Sequence, residues 1–419
     1  MATKSMLIVD EVSMISLSTL QEIEQQCRSI RDTNSSWGGL KVILLCGDFY
    51  QFPPVRGRAL WQGLSEIDIK ELTSSYEGQL IWHSFSKVIL LNEQMRQSED
   101  IPYAHLLKRI RSATSTTEDY LFLIERVGQL QANEGTKIIV RSNQLRQHLN
   151  IKSIVEFAES HNQPLYIFMA EHYSKDESVA VDKWRSLAVV DKGSTSPGPG
   201  LFCFTKNMPI VVNQNLYTSL GIVNGKEGTA IDAVIDPLSQ VYRLDCHNQH
   251  SEWNQIWIID RPPKCLFIKV NNPKFSILNG LSNGVLPLFP TTFSIDVPLN
   301  ILPNQKSNTK TTSIRRRQIP CSPAFTITDY RSQGRTFNEV ILDFESAKKG
   351  GNNQHSTFTA TYVALSRCRS IAGLSFLRAF PASSFFVKPD IRLEQEMGRL
   401  ILLEEATLSI DYIKLLSLY

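Results

Sequence analysis

Residues 6–11 read MLIVDE, and residues 41–48 read KVILLCGD. Each is a short apolar run that stops at acidic residues, Asp10-Glu11 in the first and Gly47-Asp48 in the second. Consecutive apolar side chains suit a strand covered on both faces, as parallel strands are between layers of helices. Between the two runs, Leu17, Leu20, Ile23 and Cys27 recur at the spacing of one helix face. Strand, helix, strand in that order makes a βαβ unit, so the expected fold class is α/β. Ligands of such sheets bind beyond the carboxyl ends of the strands, where both acidic clusters fall.

A second α/β segment is expected from about Lys87 to Cys203, with strands at 88–91, 137–140 and 165–169 and a helix at 151–159. Residues 194–200, STSPGPG, read as a flexible connector. From about Lys206 to Ile319 short β-like runs at 210–212, 229–235, 241–246, 256–260 and 266–270 alternate with Gly, Pro and Asn turns. That texture predicts a small antiparallel β-barrel inserted into the second α/β domain. Residues 298–312 read as a polar loop. The α/β pattern returns at Ala324 and at 340–344, and residues 392–416 read as one or two amphipathic helices. The expected division is therefore 1–95, then 96–205 with 320–419, and an insertion at 206–319.

The 419 residues are 42% apolar and 20% charged, the mix of an ordinary globular protein. A net charge of +3 is only mildly basic, so a nucleic-acid groove would have to be a local concentration of charge. Seven cysteines with no Cys-x-x-Cys pair point to a reducing interior and against a disulfide framework. Cys246, His247 and His250 read as a surface turn, because no second ligand pair stands at zinc spacing. No secretory segment or bilayer-length apolar run is present in the sequence. Arg315-Arg316-Arg317 reads as a solvated loop, with a nuclear-import signal as the other reading.

Asp10-Glu11 after a strand suits nucleotide chemistry, in which one carboxylate holds Mg²⁺ and the next polarises water. Taken alone the pair suits a helix N-cap equally well. Residues 47–55 read GDFYQFPPV, and here the chain resembles the Pif and RecD branch of superfamily-one helicases. Asp10 to Met14 (DEVSM) is similar to that family's second motif and GDFYQFPPV to its third. Leu91 to Gln97 (LNEQMRQ) resembles the fourth, Thr328 to Thr336 (TDYRSQGRT) the fifth, and Tyr362 to Arg367 (YVALSR) the sixth. Five motifs in the right order span nearly the whole chain.

The resemblance implies a partial first RecA-like domain, a second RecA-like domain and an inserted β-barrel. It implies ATP and Mg²⁺ as cofactors, with single-stranded or forked DNA as partner. Asp10 would hold Mg²⁺, and Glu11 would be the catalytic base. Gln51 would sit beside the γ-phosphate, with a structural amide in a Pro-rich turn as the alternative. Arg96 and Arg367 would face the nucleotide, since guanidinium stabilises the charge spread over a transferring phosphoryl group; a surface ion pair is the alternative for either. Gly334 would lie against the nucleotide, and Ser332, Gln333 and Thr336 against the DNA backbone. Tyr330-Arg331 stands where the family commonly shows His-Lys, so Arg331 keeps the charge and Tyr330 either stacks on a base or packs. Asn224-Gly225 resembles the family's Val-Asn-Gly turn, which a type I′ hairpin would explain. Phe49, Phe52, Trp61 and Trp82 are core candidates before they are stacking platforms.

No Gly-x-x-x-x-Gly-Lys-Ser/Thr occurs in the 419 residues, and Met1 stands a few residues before the second motif. The expectation is a truncated copy of an ATP-dependent, 5′-to-3′ DNA helicase of genome maintenance, placed in the nucleus or in the mitochondrion. An incomplete parallel sheet would leave unpaired edges and uncovered apolar faces. The alternatives are a nucleic-acid-binding remnant without turnover and the helicase portion of a rolling-circle transposon protein.

Overall fold

The structure is a computed structural model that describes residues 4–64, 73–130, 135–174, 177–178, 187, 197–244, 253, 255–271, 273, 280–298, 311–344 and 354–409. Cys246, His247, His250, most of the 298–312 segment, residues 194–196 of the connector and residues 410–416 lie outside that set. Two compact units divide the chain, residues 1–141 with 329–419, and residues 142–328.

In chain order the first stretch carries β1 (Met6–Val9), α1 (Leu17–Arg31), β2 (Val42–Leu45), α2 (Thr73–His83), α3 (Ile101–Arg111), α4 (Thr117–Ile124) and β3 (Lys137–Val140). The middle stretch opens with α5 (Asn143–Ser160), β4 (Leu165–Met169), β5 (Glu171–Ser174), β6 (Glu177–Ser178), β7 (Leu201–Phe204), β8 (Pro209–Val212) and β9 (Glu227–Val234). It continues with β10 (Val241–Leu244), β11 (Ile256–Ile259), β12 (Cys265–Val270), β13 (Val285–Leu288), β14 (Thr291–Pro298), β15 (Thr311–Gln318), β16 (Cys321–Pro323) and β17 (Thr326–Thr328). The last stretch carries α6 (Asp329–Ser332), β18 (Val340–Leu342), α7 (Gln354–Ser366), β19 (Leu374–Phe376) and α8 (Ile391–Leu408).

In the unit of 1–141 and 329–419, β1 and β2 pair in parallel, as the βαβ reading requires. Among the described residues they are not covered on both faces. Leu7, Ile43 and Leu45 pack on the core of α1 and α2, whereas Met6, Ile8, Val42 and Leu44 are 49%, 58%, 44% and 46% exposed. A second parallel group has β18 between β3 and β19. Ser16 caps α1 by accepting the Thr19 N–H, and Asp100 caps α3 by accepting that of Tyr103. The core joins Leu17, Leu20, Trp61 and Trp82 to Leu393 and Leu400 of α8. Helix α8, grouped by sequence with the second α/β layer, therefore packs on the first. Trp82 Nε1 donates to Glu396 of α8 at 2.8 Å, which satisfies the one polar atom of a buried indole.

Residues 88–91, expected as a strand, belong to no ladder among the described residues. The Val88 and Leu90 N–H groups donate to Thr407 Oγ1 (3.1 Å) and Glu404 Oε1 (2.6 Å) of α8. Side chains of a helix here satisfy donors that a neighbouring strand would otherwise take.

The unit of 142–328 holds sheets in the orders β10-β11-β4-β7, β13-β12-β9-β8-β16 and β14-β15-β5-β6. Phe168, Phe202, Ile210, Val212, Leu266 and Ile268 are wholly or almost wholly buried in one core there. Two sequence expectations are corrected. Arg315, Arg316 and Arg317 are not a loop, and of the three only Arg315 is exposed. They lie in β15, paired with β5, and Arg316 is fully buried, donating to His172 Nε2 (3.0 Å) and to the Leu187 carbonyl (2.7 Å). The Asn224-Gly225 turn is not type I′, which needs positive φ at both central residues. Only Gly225 has it, at +87°, and Lys226 N–H closes the turn on the Val223 carbonyl, the pattern of type II.

Burial, and then the Arg316 charge, push His172 down to about 3 from an ordinary 6.5. A lowered folded pKa favours the folded state above the unfolded pKa, and that advantage is lost as pH falls through 6.5 towards 3. This unit should lose about 2 kcal/mol of stability between pH 7 and pH 5, and a His172→Gln variant should lose that slope. Urea unfolding at the two pH values measures it; equal slopes in the two proteins would exclude His172 as the source.

Candidate active site

Strands β1 and β2 end side by side, and the residues that follow them carry the chemistry. Val12 N–H donates to the Cys46 carbonyl at 2.9 Å, which ties the two strand ends together. Glu11 adopts φ +53° and ψ +44°, left-handed geometry that a non-glycine residue rarely takes. Asp10 is exposed and its Oδ1 accepts the Glu11 N–H at 2.8 Å. After β2, Asp48 organises a turn. Its carbonyl accepts the Gln51 N–H at 2.9 Å and its Oδ1 accepts the Tyr50 N–H at 3.1 Å.

The fifth-motif loop meets both segments through one amide. Gln333 Nε2 donates to Glu11 Oε2 at 2.7 Å and to Ser13 Oγ at 3.3 Å, and its Oε1 accepts the Phe52 N–H at 3.1 Å. Gly334 follows with φ +73°, and a Cβ there would stand 3.1 Å from Glu11 Oε1. Glycine thus serves both the backbone conformation and the close approach of the carboxylate. Tyr330 stacks on Phe52 with ring centroids 4.0 Å apart, while Phe52 is buried with Ala360 and Val363 of α7. One face of the Tyr330 ring is therefore packed, although the residue remains 42% exposed. Ser332 is fully buried and its hydroxyl donates to the Asp329 carbonyl at 2.6 Å. Arg331 is half-buried and Thr336 exposed. Phe49, Phe52, Trp61 and Trp82 all lie in the core, between 2% and 7% exposed.

The two arginines converge at the C-terminal end of α7. Arg96 donates from Nε to Thr336 Oγ1 (2.8 Å) and from its terminal nitrogen to the Ser366 carbonyl (2.9 Å). Arg367, 1% exposed, donates to the Val363 carbonyl (3.0 Å) and to Ser366 Oγ (2.8 Å). Gln97 and Tyr103 donate to the Cys368 (2.5 Å) and Leu365 (2.6 Å) carbonyls. The segment 96–103 so satisfies carbonyls that a helix end leaves over, and places cations where the helix dipole favours them. Burial, and then the like charge of Arg96, lower Arg367 to about 10, against the pull of Tyr362, Glu11 and Asp48. Arg96 is lowered too, by burial first, with Tyr362 and Glu11 opposing. Both stay cationic at neutral pH, and both feel the Glu11 carboxylate.

Asp10 offers hard carboxylate oxygens at a strand end. Gln51 Oε1 is buried without a hydrogen-bond partner, an unmet acceptor of a kind that native structures seldom keep. One participant, Arg111, carried no sequence signal of its own, and the motifs holding Asp48 and Tyr362 did not show that it joins them. Asp48, Arg111 and Tyr362 form a cluster in which Arg111 donates to Asp48 Oδ2 (2.5 Å) and to the Tyr362 hydroxyl (3.0 Å). In sequence Arg111 is merely a basic residue in the last turn of a helix, a common placement.

Residues 1–129 match the PIF1-like helicase family. Over 88% of its length the chain is 22% identical to "ATP-dependent DNA helicase PIF1" of Danio rerio, covering 45% of that protein. Over 90% it is 21% identical to "ATP-dependent DNA helicase RRM3" of Saccharomyces cerevisiae, covering 51%. The chain thus spans about half the length of these curated relatives. The crystal structure of a Bacteroides Pif1 helicase in complex with ADP-AlF3 and ssDNA shares the fold, with TM-score 0.61 and 18% identity over 95% of this chain and 75% of that one. The chain thus has a two-domain RecA-like α/β fold, and it is similar to Pif1 helicases in its first 129 residues and, more distantly, along most of its length.

Proposed function

We propose that the protein is the motor part of an ATP-dependent DNA helicase that moves 5′ to 3′ along a single strand. One observation carries the reading. Glu11 of the second motif accepts a hydrogen bond from Gln333 of the fifth, within the electrostatic reach of Arg96 and Arg367. Asp10 would hold Mg²⁺, which screens phosphate charge when bound. Glu11 then takes a proton from the attacking water, and Gln51 orients that water through its unmet acceptor. Arg96 and Arg367 stabilise the charge on the γ-phosphate. Gly334 leaves room beside Glu11. Tyr330, Arg331, Ser332, Gln333 and Thr336 form the loop that meets the DNA backbone, with Ser332 acting through the loop's shape rather than its buried hydroxyl. Because Gln333 holds Glu11, a strand that moves this loop also moves the base.

We read residues 1–95 and 96–205 with 320–419 as the two motor domains and 206–319 as the barrel insertion. That reading rests on motif order and on the antiparallel β8–β9 and β9–β12 pairings. A nuclear or mitochondrial location follows from the family resemblance. Among the described residues no helix is long and apolar enough to cross a membrane.

The test is nucleotide binding and hydrolysis by this 419-residue chain, with and without an oligothymidine strand. Magnesium-dependent turnover that the strand raises would support the motor and remove both the DNA-binding remnant and the truncated copy. Strand binding without nucleotide binding or turnover would overturn it in favour of a DNA-binding remnant.

A further inference from the structure

Arg111 lies outside the five motif stretches, yet its partners Asp48 and Tyr50 belong to the third and Tyr362 to the sixth. Arg111 ends α3, and its guanidinium lies 4.2 Å from the ring centroid of Tyr50 and 5.5 Å from that of Tyr362. It donates to Asp48 Oδ2 at 2.5 Å and to the Tyr362 hydroxyl at 3.0 Å. Tyr50 also packs on Phe358 of α7, with centroids 6.0 Å apart. One guanidinium thus holds together the turn after β2 and the helix α7. Burial opposes its charge, but Asp48 and Tyr362 outweigh that and raise its pKa. Charge-assisted bonds in a part-buried place are the strong kind, and the planar fork between two rings is a geometry that lysine cannot reproduce.

Each end of this contact leads to a group already placed in the site. Asp48 shapes the turn through the Tyr50 and Gln51 N–H groups, the turn presents Gln51 and Phe52, and Phe52 N–H holds Gln333, which holds Glu11. At the other end, Tyr362 lies on α7, whose last turn leads directly into Arg367. We propose that Arg111 is a positioning residue that latches the Asp48–Phe52 turn to α7 and so sets the approach of Glu11 and Gln51 to Arg96 and Arg367. Its bearing on turnover rests on the helicase reading above; the latch itself does not.

Amide hydrogen exchange on the full, nucleotide-free chain tests the latch. Arg111→Ala should raise exchange about tenfold or more at Tyr50, Gln51 and Phe52 and in the peptide 330–336, while α1 is unchanged. Asp48→Asn should reproduce the pattern, and the double variant should add nothing, because both changes break one link. Arg111→Lys, which keeps the charge but not the fork, should fall between. Loosening confined to 48–52, with 330–336 as protected as before, would overturn the proposal. Should Arg111→Ala unfold the unit, Tyr362→Phe decides the matter, since it removes one hydroxyl and should still raise exchange in both segments. If the wild type turns over ATP, Arg111→Ala should lower kcat with little change in KM. A wild type without turnover would defeat the helicase reading and leave the exchange result to judge the latch.

Discussion

Replacing Glu11 by Gln is expected to cut strand-stimulated ATP turnover about 10²- to 10⁴-fold, the range that a positioned general base supplies. The substitution removes a charge and little else. Glutamine has the same shape, and its carbonyl can still accept the hydrogen bond that Gln333 Nε2 makes at 2.7 Å. The left-handed backbone at Glu11, φ +53°, is equally open to either residue. Triphosphate binding should therefore stay within about threefold of the wild type, or tighten as a carboxylate is withdrawn from the phosphates. Single-turnover hydrolysis and binding of a fluorescent ATP analogue separate the two quantities. Turnover by Glu11→Gln near that of the wild type would remove Glu11 from the role of base and leave it as a structural partner of Gln333.

The second large effect concerns Gly78, in the middle of α2. A Cβ at Gly78 would stand 1.9 Å from the Leu17 carbonyl oxygen and 2.5 Å from its carbon. Two opposing effects can be weighed. Alanine in a helix interior is favoured over glycine by about 1 kcal/mol. Against that, the clash is with backbone, which no rotamer change relieves, so α1 and α2 must move apart. Their separation would loosen the core in which Leu17, Leu20, Trp61 and Trp82 are buried. Overpacking of a dense core costs about 1–3 kcal/mol and occasionally more. Since the neighbour here is rigid, a net loss of about 3 kcal/mol is expected for Gly78→Ala. Denaturant titration followed by tryptophan emission would measure it, as Trp37, Trp61 and Trp82 all lie in this core. A variant as stable as the wild type would mean that the two helices do not meet at Gly78.

The βαβ start was legible because each of its signals is local. The two apolar runs set parallel strands, Leu17, Leu20 and Cys27 set the buried face of α1, and the acidic residues fell at strand ends. The motifs were legible for the same reason, since each is a short run of residues. Side chains that act across long separations were not. Gln333 and Glu11 are 322 positions apart, and Arg111 and Tyr362 are 251 apart. Nothing in the surroundings of one names the other. Arg315 to Arg317 misled because charge in a sequence suggests solvent, whereas His172 across the strands and the carbonyl of Leu187 let Arg316 be buried, and Glu171 takes Arg317. Residues 88–91 misled because an apolar run does not show what will satisfy its backbone, here side chains of α8 rather than a neighbouring strand.

Local pattern thus dictated which strands and helices form and which residue types stand at their ends, because periodicity and chain stiffness act over a few residues. Only the folded chain decided which of those ends meet, that an amide would hold the base, that a guanidinium between two tyrosines would span the turn and α7, and that α8 would close the first layer. Those outcomes depend on close packing and hydrogen-bond satisfaction between segments hundreds of residues apart, which no short stretch of sequence encodes.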